Sequence, residues 1–94
     1  MITLTINVAG VSFRLDQFTA AQVAIRDDVT FEPEPENKYD PNAVKVLKGT
    51  HHLGYVPRDK AVQFLNLIDD KSIKSAKIVK AWSKGCNVEV QYEK

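Results

Sequence analysis

Ile2, Leu4, Ile6 and Val8 alternate with Thr3, Thr5 and Asn7, so the chain opens with a strand that has one apolar and one polar face. The same period of two returns at the other end, in Ser75–Trp82 and Val88–Tyr92, joined by the turn-forming stretch Ser83-Lys84-Gly85. Ninety-four residues support a single hydrophobic core, and 44% hydrophobic with 27% charged residues is the balance of an ordered globular chain. The sequence therefore reads as one domain over residues 1–94.

Between these ends the pattern is mostly extended. Val11–Leu15 keeps the period of two, which predicts that Gly10 marks a bulge or bend in one long element. Asp16–Ala21 reads as a short irregular or helical link, and Val29–Glu34 as a second extended segment after Asp27-Asp28. Pro33, Pro35 and Pro41 donate no ladder hydrogen bond and place the next connection on an edge or in an exposed loop. Ala43–Leu47 and Leu53–Val56 are apolar runs separated by Lys48-Gly49-Thr50-His51-His52, which predicts a hairpin. One helix stands out. It opens near Asp59, carries Ala61, Phe64, Leu65, Leu67 and Ile68 at helical spacing, and stops at Asp69-Asp70-Lys71. Five or six strands and one helix predict a mainly β fold, a small antiparallel barrel or strongly bent sheet capped by the helix.

Several function classes fit poorly. No apolar run approaches the roughly 20 residues that cross a bilayer, and MITLTINVAG reads as a strand and not as a secretion signal. A single cysteine, Cys86, cannot form an internal disulfide and fits a reducing, cytoplasmic setting. It has no histidine nearby in sequence, so a core or strand-end position is expected, not a nucleophile. His51-His52 falls in the expected turn, where both rings would be exposed and no further ligands are at hand, so no metal is expected there. Glu32, Glu34 and Glu36, with Asp40 beyond, have the carboxylates for a Mg²⁺-dependent nuclease. The interleaved prolines make a solvated acidic edge the simpler account. There is no Gly-rich phosphate loop. Neither an enzyme nor a cofactor is expected.

Charge is unevenly spread. Residues 1–40 hold three basic and seven acidic side chains, and residues 41–94 hold ten basic and five acidic. A basic second half serves a polyanion or is simply a lysine-rich solvated surface.

Two stretches remain, NKYDPNAV and GYVPRDKA. Read locally, Asp40 and Asn42 take backbone N–H groups of a proline turn, Tyr39 covers the core at that turn, and GYVPR is a strand end with a proline stop. Together, EPENKYDPNAVKV (34–46), LGYVPRDKAVQFL (53–65) and the upstream VAGVSFR (8–14) resemble the HIRAN domain. The resemblance spans roughly residues 6–80. That family occurs as the N-terminal module of DNA-repair and fork-remodelling helicases and as short free-standing proteins, and the length and Met1 of this chain are compatible with the second form.

What the resemblance implies is a six-stranded, OB-like antiparallel β-barrel with one or two short flanking helices, and binding of single-stranded DNA at a free 3′ end. Carried over by position, Phe13 and Tyr39 stack on terminal bases, Asp40 accepts a hydrogen bond from the 3′-hydroxyl, and Arg58 takes a backbone phosphate. Backbone amides from Tyr39 to Asn42 add phosphate or sugar contacts, and Lys60 or Arg14 offsets the acid in the site. Single-stranded DNA is the implied partner, with a helicase, nuclease or other DNA-processing protein as an associate. Ser12 stands where helicase-type members carry a basic phosphate contact, Phe13 replaces a tyrosine, Lys38 replaces a proline and Pro33 a basic residue. The missing charge at Ser12 and the formal net charge of +1 motivate the alternative, a protein-interaction or regulatory module on the same fold that has lost DNA binding.

Overall fold

The computed structural model describes residues 1–93. Its elements run β1 (Ile2–Asn7), α1 (Leu15–Ala20), β2 (Thr30–Pro33), β3 (Val44–Lys48), β4 (His51–Tyr55), α2 (Ala61–Asp69), β5 (Ile73–Trp82) and β6 (Gly85–Tyr92). Short 3₁₀ turns, Val11–Phe13 and Arg58–Lys60, precede the two helices.

The strands form two antiparallel sheets of three, ordered β1-β6-β5 and β2-β3-β4. They meet at both edges, but each seam is narrowed to one isolated bridge: Ala9 with Tyr55 on one side, Asp28 with Lys77 on the other. The fold is mainly β and antiparallel as expected, and of the expected barrel or strongly bent sheet the ladders make two three-stranded sheets, not one continuous closed ladder. Between the sheets, Val44, Val46, Leu53, Ile78, Val88 and Val90 are completely buried. Phe64 plugs one end from α2, edge-on to Phe31 at 5.0 Å between ring centroids. Cys86 belongs to this core, where burial pushes its thiol up to about 11, so it is a packing residue. Among the described residues no helix is long and apolar enough to cross a membrane.

Three local expectations are overturned. Val11–Leu15 is not an extension of β1. Gly10 takes a left-handed φ of 73°, and Phe13 N–H then bonds Gly10 O, which curls the chain into the first 3₁₀ turn. Val11 is buried and Phe13 is thrown outward. His51 and His52 are not in the hairpin turn either. A two-residue turn at Gly49-Thr50, with Gly49 at φ 59°, suffices, and His51 already opens β4. The β3–β4 register slips so that Leu47 faces His52 and Val46 faces Gly54. Leu53 is the extra residue of a bulge, which lets His52, Leu53 and Gly54 all lie buried in succession. Finally, Glu34 is not part of a solvated acidic edge; it is half-buried and bonded on several sides, as described below.

Helix α2 ends in a Schellman arrangement: Ser72 N–H bonds Leu67 O and Lys71 N–H bonds Ile68 O. The left-handed position, φ 55°, is filled by Lys71 where glycine is the easy residue. Lys71→Gly is expected to raise stability by about 1 kcal/mol in urea denaturation.

Candidate functional site

At the Ala9–Tyr55 seam a groove of about 530 Å³ opens, within the range of small-ligand sites. One wall is the first 3₁₀ turn, which carries Phe13 and Arg14. The other is the loop between β2 and β3 with Asn37, Lys38, Tyr39 and Asp40, and Tyr55, Val56 and Arg58 close its base.

The loop is held by side chains that mimic backbone. Asn37 Oδ1 accepts from Tyr39 N–H (2.9 Å) and Asp40 N–H (3.0 Å), an Asx turn that fixes the Tyr-Asp pair. Asp40 Oδ1 accepts from Asn42 N–H (2.9 Å), starting the turn through Pro41 that leads into β3. The amides of Tyr39, Asp40 and Asn42 are thus engaged inside the loop. Tyr39 does not cover the core as its local reading suggested: the residue is 89% exposed, and Phe13 is 90% exposed.

Beneath the loop lies a polar knot absent from the sequence reading. Tyr55 Oη donates to Glu34 Oε1 (2.8 Å) and accepts from Arg14 (3.3 Å), whose guanidinium also sits 5.5 Å above the Tyr55 ring centroid. Asn37 Nδ2 donates to the same Glu34 oxygen (2.7 Å), and Lys45 pairs with the other (3.4 Å). Burial alone would raise the Glu34 carboxyl, but the bonds from Asn37, Tyr55 and Lys45 outweigh it and hold the group below its ordinary value. The local signs were present: Tyr55 lies within GYVPR and Asn37 opens NKYD. Their convergence depends on the β3–β4 pairing and could not be read from spacing.

Of the residues singled out from the sequence, Phe13, Arg14, Tyr39, Asp40 and Arg58 line one groove. Asn42 and Lys60 do not; Asn42 spends its N–H on Asp40, and Lys60 lies beyond Arg58, half-buried. Arg58 Nε stands 3.5 Å from Asp40 Oδ2, and its Nη2 donates to Tyr39 O at 3.4 Å. Both contacts are long and the Arg58 side chain is 76% exposed, so this pair is a weak clasp free to rearrange. Among the described residues no cluster of three or more His, Cys, Asp and Glu is placed to hold a metal.

His52 supports the knot from below, edge-on to Tyr55 at 4.8 Å, with its Nε2 2.9 Å from Gly54 O. Burial, then the nearby Arg14 charge, lowers its pKa from 6.5. Below 6.5 the unfolded chain therefore takes up a proton that the folded chain resists, and stability falls as pH drops through that range. Urea denaturation at pH 7.5 and 5.5 is expected to show this loss, and His52→Gln, which retains a donor for Gly54 O, to reduce it. The Glu34 carboxyl is held below its ordinary 4.5 in the folded chain, so its contribution is lost only at more acidic pH than this comparison spans.

Comparison with known proteins agrees with this architecture. The crystal structure of the HIRAN domain of human HLTF superposes with a TM-score of 0.78 at 18% identity, covering 96% of this chain and 74% of that one. A crystal structure of a protein from Lactobacillus plantarum gives 0.77 at 20% identity, covering 98% and 96%. No curated protein matches the sequence. The family model described as the HIRAN domain matches residues 2–92, from the first residue of β1 to the last of β6. By that match over nearly its whole length, the chain belongs to the HIRAN domain family.

Proposed function

We propose that this domain is a non-catalytic module that grips the free 3′ end of single-stranded DNA in the groove between Phe13 and Tyr39. The observation that carries the proposal is two almost fully exposed rings lining one groove that also holds a carboxylate and guanidinium groups. Burying such a ring would contribute roughly 1.5–3 kcal/mol to folding. Leaving two of them in water on one face suits a partner that covers them, and a nucleobase stacks on either face whatever its sequence.

Asp40 supplies the preference for an end. Its Oδ1 is held by Asn42 N–H, and among the described residues Oδ2 has only the long contact with Arg58. A carboxylate oxygen accepts more than one hydrogen, so Oδ2 has capacity for a terminal hydroxyl. A strand that continued would set a phosphate against the same oxygen, two anions face to face. Arg58, loosely held, turns to the last phosphate, while Arg14, tied to Tyr55, is a fixed positive charge in the groove. A linear oligothymidine is expected to bind at low salt and a closed single-stranded circle of the same composition to bind poorly. Equal affinity for the two would rule out end recognition, and no binding of either would rule out the DNA site.

A further inference from the structure

The opposite seam carries a second concavity that the DNA site does not use. Asp28 bridges Lys77, and Val29 N–H bonds Ala76 O at 3.0 Å. Beyond this point β2 and β5 make no further ladder, and a wedge of about 590 Å³ opens between them, floored by Phe31, Leu67, Ile68 and Ile73. The ladder alternates, and Pro33 lies opposite Val44, whose carbonyl is taken by Val56 N–H on the β4 side. By the same alternation Phe31 turns its N–H and C=O away from β3, into the wedge.

Two backbone irregularities bring lysines to its rim. Lys71 occupies the left-handed end of α2, at a cost that glycine would avoid. Lys74 is the extra residue of a bulge in β5: Ile73 pairs with Tyr92 and Ser75 with Gln91, leaving Lys74 without an opposite number. Both line the wedge and both are exposed. Lys77 is already bonded to Asp28 at 2.6 Å, but among the described residues no carboxylate lies within ion-pair distance of Lys71 or Lys74. Asp69 and Asp70, at the end of α2, are not part of the lining.

We infer that this wedge receives an extended, acidic segment of a partner protein, which joins the free strand edge with apolar side chains on the floor and carboxylates at Lys71 and Lys74. Strand addition fits because the floor is apolar and unpaired backbone faces it. Nucleic acid fits less well, since Phe31, the aromatic of the lining, is half-buried and engaged edge-on with Phe64.

The test is a titration of the isotope-labelled domain with a capped heptapeptide of alternating valine and glutamate, followed by amide shifts in NMR. A valine and lysine heptapeptide and an oligothymidine serve as comparisons. The expected result is shifts at Phe31, Lys74 and Ala76 with the acidic peptide alone. Lys71→Gly combined with Lys74→Glu should weaken that binding by about tenfold. The glycine change favours the fold, so such a loss cannot be ascribed to unfolding. No shift at these amides, equal shifts with the lysine peptide, shifts produced by the oligonucleotide, or full binding by the double variant would overturn the inference. Oligonucleotide binding at Tyr39 should be unchanged in the variant, which keeps the two sites separable.

Discussion

Tyr39→Ala is expected to lower affinity for a single-stranded oligothymidine by about 10- to 100-fold, the loss of one stacked base. The residue is 89% exposed and the loop is fixed by Asn37 and not by the tyrosine side chain, so the fold should be indifferent to the change. Stability is expected to stay within about 0.5 kcal/mol of the parent, as for other surface substitutions. Tyr39→Phe keeps the stacking face and should bind almost normally. Phe13→Ala should cause a loss of similar size, because that ring lines the same groove from the opposite wall. Fluorescence anisotropy over a range of salt concentrations separates this effect from loss of charge, since stacking variants lower affinity without changing the salt slope. A drop in slope instead would place the binding energy on the lysines and arginines.

Gly54→Ala acts on the fold. A Cβ on Gly54 would overlap the Ala9 carbonyl oxygen and lie 2.8 Å from Val8 Cγ1, closer than such atoms pack. Ala9 cannot give way easily, because its N–H and C=O are both bonded to Tyr55 at 2.8 Å, the bridge that joins the two sheets. The expected cost is about 2–3 kcal/mol. In a domain of this size that is a fall in Tm of roughly 10–20 °C, read by thermal denaturation. The groove is built on this seam, so oligonucleotide affinity should weaken with it even in the fraction that folds. An unchanged Tm would mean that the seam is more compliant than its bonds indicate.

How much of this was legible in the sequence depended on the range of the interaction. Strands β1, β5 and β6 and the stripe of α2 follow from local periodicity, although β5 opens earlier, at Ile73, and β6 already at Gly85, inside the stretch that the pattern gives to the turn. Alternation that continues through Phe13 predicts a bend within a strand at Gly10. What the sequence hid was a left-handed φ, which turns the same residues into a 3₁₀ turn and gives Phe13 its exposure. The bulge at Leu53 has no local signal either: His52 follows a Gly-containing turn, and only the ladder makes its neighbour the extra residue. Phe13, Tyr39, Asp40 and Arg58 were picked out through a family motif, and their shared groove depends on the Ala9–Tyr55 bridge across 46 residues of sequence. Tyr55 and Asn37 lie in stretches that the sequence marks, but nothing local predicts that Glu34, Tyr55 and Arg14 meet in a knot. Each of its members has an ordinary alternative role, and only the tertiary pairing brings them together.

Asp40 is expected to distinguish a terminal hydroxyl from a phosphate. The most direct test is a fluorescence titration with two oligonucleotides identical except for a 3′-hydroxyl or a 3′-phosphate, run on the parent and on Asp40→Ala. The parent is expected to prefer the hydroxyl by about tenfold or more, and the variant to show no preference. Equal affinity of the parent for both ends, or a preference that survives in Asp40→Ala, would contradict that role for Asp40.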